Sequence, residues 1–271
     1  MTLAVTHAPA RARPLVKHTT TGQTLLLTAT ITPPADAVKL ARTDPAARLG
    51  DYLQALQFYL RLPDDSIDRI VFVENSGSDV SKLRALAYRY PNKQVEFVTF
   101  YGLDYPAAYG RAFGEARLID YAFEHSDILY QVEDDEPIWK GTGRLRLTNL
   151  AHMLRRAPRD YQLYCDLRNV NAQWMDQRFY SFTPFGYRAL LKNTAEQLRE
   201  DLHNTLAAET LMYRHVIKHV GPGRVVPRFR SQPFIAGISG FGNTDYGRGF
   251  KNHVKDYLKV CSRRLRPSYW I

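Results

Sequence analysis

At 271 residues and 31.2 kDa the chain suits one large globular domain. Hydrophobic residues at 45% and charged residues at 24% exclude wholesale disorder, and no run approaches the roughly 18 apolar residues of a membrane span. The formal charge of +10 sits at the ends, because residues 1–22 and 221–271 are basic while the body between them is neutral. That pattern fits an anionic membrane surface, or simple solubility, better than nucleic acid, for which charge is spread along one face among aromatics.

The first 22 residues have no periodicity and read as a basic arm. Leu25–Ile31 is a strand-sized apolar run that lacks a secretory cleavage site. Asp44-Pro45 predicts a helix start, and Leu49, Tyr52, Leu53, Leu56, Tyr59 and Leu60 follow at helical spacing until Pro63. Ile70–Val73 reads as a strand ending in the turn Glu74-Asn75-Ser76-Gly77. A helix over 80–90, a strand over 95–100 and a helix over 113–123 complete an alternation that predicts a doubly wound α/β sheet. The second half predicts helices over 148–156, 185–192, 205–219 and 246–264, with strands near 139–142, 163–165 and 179–183. Cys165 and Cys261 form neither a disulfide framework nor a metal-ligand spacing, which points to a reducing cytoplasm.

In such sheets ligands bind beyond the carboxyl ends of the strands, so Thr28 to Thr32, Glu74 to Gly77 and the loop from Tyr101 to Gly110 become candidates. Lys140-Gly141-Thr142-Gly143-Arg144 combines backbone that can approach a ligand with charge suited to a phosphate; the same pattern also makes an ordinary basic turn. It lacks the spacing of a nucleoside-triphosphate loop. Gly110-Arg111 opens a helix, where either an anion or a plain cap would fit. Glu133-Asp134-Asp135-Glu136 offers carboxylates for a hard cation but fits a solvated loop better. Asp166 ends an apolar strand, and Glu209 lies in an apolar helical pattern, which makes it a general-base candidate. His215 and His219 lack a third ligand, and Ser239-Gly240 lacks a hydrolase elbow.

The order Leu-Leu-Leu-Thr-Ala-Thr-Ile, Arg48-x-x-Asp51-Tyr52, Val-Glu-Asn-Ser-Gly, Gly-x-x-x-Gly-Glu and Lys-Gly-Thr-Gly-Arg resembles bacterial glycosyltransferases of capsule and lipopolysaccharide synthesis. It continues through Asp176-x-Arg178-Phe179, Glu209-Thr210-Leu211-Met212-Tyr213 and Gly237-Ile238-Ser239-Gly240, covering most of residues 24–258. The resemblance implies a GT-A-like, Rossmann-like α/β/α sandwich in a single domain over 23–264. Its nucleotide half would span 23–145 and its acceptor half 146–264, with 1–22 and 265–271 as basic extensions. It implies a nucleotide-sugar donor near Thr28, Glu74 and Asn75, with Arg111, Lys140 and Arg144 toward its diphosphate, and a saccharide or lipid-linked acceptor on the side of Glu209; Thr142, Asp176 and Arg178 are further substrate-binding candidates. Glu209 or Asp166 would take the acceptor proton. The Asp-x-Asp metal signature of such enzymes is not evident. A divalent metal, Mg²⁺ or Mn²⁺, therefore stays open beside stabilisation by Arg and Lys. A nucleotidyltransferase and a non-catalytic carbohydrate- or nucleic-acid-binding module are the alternatives. The expected location is the cytoplasm, with peripheral contact at the inner membrane face.

Overall fold

The computed structural model describes residues 22–37, 40–170, 172–200, 207–246, 259–261, 263, 265 and 270. The strands are β1 (Gln23–Ala29), β2 (Ile67–Glu74), β3 (Gln94–Thr99), β4 (Ile138–Thr142), β5 (Arg146–Leu147), β6 (Leu163–Tyr164), β7 (Leu167–Arg168), β8 (Trp174–Met175), β9 (Phe179–Phe182), β10 (Val225–Val226) and β11 (Ile235–Ala236). The helices are α1 (Pro45–Leu60), α2 (Ser81–Ala87), α3 (Gly110–His125), α4 (Asp127–Tyr130), α5 (Leu150–Arg156), α6 (Pro184–Gly186) and α7 (Ala208–Val216).

Seven strands form one sheet in the order β10-β6-β9-β4-β1-β2-β3. β9 runs antiparallel to both its neighbours, and every other pairing is parallel. The period of two along each strand divides the core. Leu26, Val71, Val73 and Ile138 face α3 and α7, whereas Leu25, Leu27, Ile70, Phe72 and Trp139 face α1, α2 and α5. This is the α/β/α sandwich expected from the sequence. Between β1 and β4 the direction of chain progress across the sheet reverses, and the carboxyl ends of both strands open there.

Asp44 caps α1 as expected, its side chain accepting from Ala46 N at 2.9 Å with Pro45 in the first turn. The helix expected over 185–192 is instead the single turn α6 followed by a π-type turn over Tyr187–Leu191. The one expected over 205–219 runs as α7 and a 3₁₀ turn over Ile217–His219. The pairs β5–β11 and β7–β8, strand β10 and the short α4 were not anticipated, since a two-residue bridge has no periodicity to read. The basic arm, apart from Gly22, and most of the helix expected over 246–264 lie outside the described residues, within which Lys259–Cys261 is helical. Among the described residues no helix is long and apolar enough to cross a membrane.

Candidate functional site

Two loops wall the crevice beyond β1 and β2, and buried polar side chains fix both. From α1, the Arg48 Nε donates to the Thr30 carbonyl at 2.8 Å, and the Tyr52 hydroxyl accepts from Thr30 N at 2.9 Å. The Glu74 carboxylate, fully buried at the end of β2, accepts from the backbone N–H of Ile31 and Ser76 at 3.0 Å and of Ser78 at 3.1 Å. Asn75 accepts from the Thr30 hydroxyl at 2.6 Å. Glu74 thus spends its hydrogen bonds on shaping the wall next to the expected nucleotide pocket, and Asn75 gives its side-chain oxygen to the same wall.

The end of β4 meets β1 through Gly143 N, which donates to the Thr28 carbonyl at 2.8 Å; a Cβ on Gly143 would come within 2.9 Å of that oxygen. Lys140 and Arg144 have different fates. Lys140 is wholly buried on the α3 side, where its ammonium donates to Glu115 at 2.6 Å and to the Gln177 carbonyl at 2.7 Å. Thr28 donates to the same Glu115 carboxylate at 2.8 Å. The charge of Lys140 is therefore matched beneath the crevice floor, and Thr28 belongs to the same internal network. Thr142 is partly exposed, and its N–H continues the sheet edge to the Arg178 carbonyl at 2.9 Å. Arg144 reaches between α1 and the loop over 237–246, donating to the Ile238 carbonyl. It makes no ion pair with the described residues, and burial lowers its pKa.

Opposite stand residues from the second half. The Arg178 Nε and Nη2 grip Asp176 at 2.9 and 2.5 Å, and the guanidinium lies 4.9 Å from the centre of the Tyr246 ring. Burial works against both charges, and their pairing more than offsets it, holding Asp176 below the usual carboxylate range. Glu209 stands in the first turn of α7. Burial raises its pKa, the carboxylates of Glu200 and Asp176 add to the rise, and Arg111 works against it. Arg111 is exposed, 5.9 Å from the ring of the exposed Phe241.

The anion at the start of α3 is internal. Glu200, buried and passed over in the sequence, accepts from Arg111 N at 2.8 Å with one oxygen and from Ala208 N at 3.0 Å with the other. One carboxylate thereby joins the amino ends of α3 and α7, which carry Arg111 and Glu209. No local pattern marks Glu200 as a cap, because both partners are remote in sequence. Asp166 is likewise engaged, accepting from Arg263 at 2.6 Å with both side chains 5% exposed. This ties the carboxyl end of β6 to the C-terminal segment.

Among the described residues the acidic side chains do not gather as ligands for a divalent cation. Among the described residues no group of three or more His, Cys, Asp or Glu could hold one. β4 ends at Thr142 and is followed by Arg144, and a cation there would repel a metal ion. Asp134 pairs with Arg188 at 2.6 Å and Glu136 with Arg69, both acids lying before the amino end of β4 and away from the crevice. The His215 Nε2 contacts the Leu190 carbonyl at 2.6 Å.

No protein-family model and no curated protein matches the chain. Solved structures similar to it include a mannosyltransferase from Pyrobaculum calidifontis in complex with GDP-Man and Mn²⁺ (12% identity, 90% of this chain, 63% of that one, TM-score 0.45). Mouse xyloside xylosyltransferase 1 in its apo form is 11% identical over 76% of this chain and 84% of that one, with a TM-score of 0.43. The inositol-1-phosphate CTP transferase from T. maritima is 10% identical over 89% and 96%, with a TM-score of 0.42. The chain thus spans less than two thirds of the mannosyltransferase. At these identities and TM-scores the likeness assigns no activity.

Proposed function

We propose that this protein is a GT-A-like glycosyltransferase that moves a sugar from a nucleoside-diphosphate donor to a saccharide or lipid-linked acceptor during assembly of a bacterial surface polysaccharide. The observation that carries the reading is the Glu209 carboxylate, its pKa raised by burial and acted on by the exposed Arg111, with Arg144 following β4 at the switch point; among the described residues neither arginine has a carboxylate ion pair. Residues 23–145 would hold the donor and 146–264 the acceptor, with the work done in the cytoplasm and the basic ends against the inner membrane face.

In this reading the Glu209 carboxylate accepts the proton of the acceptor hydroxyl as its oxygen attacks the anomeric carbon. The bond from that carbon to the diphosphate breaks, and the charge left on the diphosphate falls to Arg144 and Arg111. Arg178, gripped by Asp176, borders the acceptor. Lys140, Thr28, Glu74 and Asn75 hold these groups in place from beneath.

A panel of nucleotide sugars, scored for nucleoside diphosphate and for pyrophosphate release with and without EDTA, tests the reading. The expected outcome is nucleoside diphosphate release from at least one donor, unchanged by EDTA. Pyrophosphate release would make the chain a nucleotidyltransferase, and no release from any donor would leave a binding module. Arg144→Ala should weaken nucleoside diphosphate binding by about 1.5–3 kcal/mol, the contribution of a charged hydrogen bond.

A further inference from the structure

At the outer side of the same sheet edge, beyond β6 and β10, lies a cluster that the proposed transfer does not use. The carboxyl end of β10 leads through Pro227, whose carbonyl accepts from Leu167 N at 2.8 Å, to Arg228. The Nε, Nη1 and Nη2 of Arg228 are all buried, and none has a hydrogen-bond partner. Arg168, next to Leu167 on β7, lies 4.2 Å from the ring centre of Trp174 and also keeps a buried, unpartnered Nε. Asp166 and Arg263 complete the group. Asp166 is bound through its Oδ2 to Arg263, while Arg263 also donates to Gln232 and to the Phe229 carbonyl, both at 2.9 Å.

The charge does not balance. The charges that act on Arg228 are Arg263, Arg168 and the one carboxylate of Asp166. Three guanidiniums around one carboxylate leave an excess of two positive charges among the described residues. A buried guanidinium without partners is among the most costly arrangements a protein can hold, and burial together with Arg263 lowers the pKa of Arg228 to about 10. Its planar fork of donors matches phosphate oxygens, and a phosphate dianion would cancel the excess. The cluster adjoins the crevice, since Asp176 N donates to the Asp166 carbonyl at 3.0 Å and Asp176 holds Arg178.

We propose that Arg168 and Arg228, backed by the Arg263–Asp166 pair, bind a phosphate group carried as a monoester or diphosphate by the molecule on the acceptor side. The phosphate site stands without the transferase reading; only naming its bearer as the acceptor rests on that reading.

Binding of inorganic phosphate and of phenyl phosphate to the full chain tests this, measured by equilibrium dialysis and by thermal shift, with and without saturating UDP. Both probes should bind and raise the melting temperature, and UDP should leave that response in place. Arg228→Met should weaken both probes about tenfold or more, the loss expected for one charged hydrogen bond. In phosphate-free buffer the same variant should melt no lower than the wild type, because it removes a buried unpaired charge. If Arg228→Met fails to fold, Arg168→Gln should show the same loss of phosphate response.

Absence of phosphate binding to the wild type overturns the site. Loss of the response under UDP would assign the phosphate to the donor pocket and overturn it equally. Binding of inorganic phosphate without phenyl phosphate would overturn the acceptor assignment, leaving a closed ion site. A large drop in melting temperature for Arg228→Met with unchanged phosphate affinity would make Arg228 structural.

Discussion

Removing the Glu200 carboxylate should loosen two helices at once. Its oxygens accept from Ala208 N at 3.0 Å and Arg111 N at 2.8 Å, and the residue is 7% exposed. The Ala208 N–H is buried with it, so its loss should cost about 1.5–3 kcal/mol, the range for a charged hydrogen bond. Arg111 N lies in an exposed residue and can recover water, so there the loss is mainly the interaction with the helix dipole, about 0.5–1 kcal/mol. Glu200→Ala should therefore lower stability by about 2–4 kcal/mol, a large part of the 5–15 typical of a domain. Glu200→Gln, which keeps one acceptor, should lose about half as much. Urea denaturation of both variants measures this. Gly110 supplies an internal check, because its φ is +79° and a Cβ there would stand 1.8 Å from the Glu200 Oε2. Gly110→Ala should cost less in the Glu200→Ala background than in the wild type, since the clash is gone and only the backbone strain remains. A Glu200→Ala cost below about 0.5 kcal/mol, or additive double-mutant values, would refute the bridge.

Lys140→Met should destabilise the fold by about 2–4 kcal/mol, because it keeps the packing but leaves the Glu115 carboxylate without its cation, while calorimetry on the folded protein finds nucleoside diphosphate affinity little changed. Arg263→Ala should cost about 1.5–3 kcal/mol for the charged hydrogen bond lost at the buried Asp166, with Arg168 and Arg228 still beside that carboxylate, read from the urea midpoint. Removing residues 262–271 carries the same penalty, so membrane contact has to be tested on the intact chain. Sedimentation with anionic vesicles should fall with added salt, and equal binding to neutral vesicles would end that idea. Glu209→Gln should lower turnover about 10²–10⁴-fold and abolish an acid limb that lies above the ordinary carboxylate range in the pH–rate profile. The stability sign is fixed as well. A carboxyl whose folded pKa is raised holds its proton more tightly when folded, so stability falls as pH climbs from its unfolded value to its folded one. The Gln variant should gain on the wild type across that window, and a constant difference from pH 4 to 8 would refute the burial of Glu209.

The alternation of short apolar runs with helical spacing makes β1, α1, β2, α2, β3 and α3 legible. Leu25, Leu26 and Leu27 are buried on both faces of a parallel strand, and such a strand is written as a continuous run. Asp44-Pro45 was equally readable because a cap acts within one turn. The outer strand β10 escapes this logic, being two residues long and paired with β6 more than 60 positions away, whereas β6 falls within the strand expected near 163–165. Lys140 carried a partial signal. It alternates with Ile138 along β4, so the period that buries Ile138 also places Lys140 on a core face, where an acid partner is required. Its partner Glu115 sits on α3, and no spacing rule connects them.

The same distinction sorts the motif residues by what they can do. A polar side chain whose hydrogen bonds are spent inside the protein builds a site, and one with capacity to spare can act on a ligand. Glu74 serves three backbone N–H groups, Lys140 a carboxylate and a carbonyl, and Arg48 the Thr30 and Arg42 carbonyls. These shape the crevice, and their loss should read first as stability. Arg144 gives one hydrogen bond to a carbonyl, Arg111 lies open beside Phe241, and Glu209 makes no ion pair with the described residues. Two cations and one carboxylate with unspent capacity are what departure of a diphosphate and deprotonation of a hydroxyl require. Under the proposed transfer the chemistry would fall to Arg144, Arg111 and Glu209, with the more conspicuous Lys140, paired to Glu115, kept beneath them.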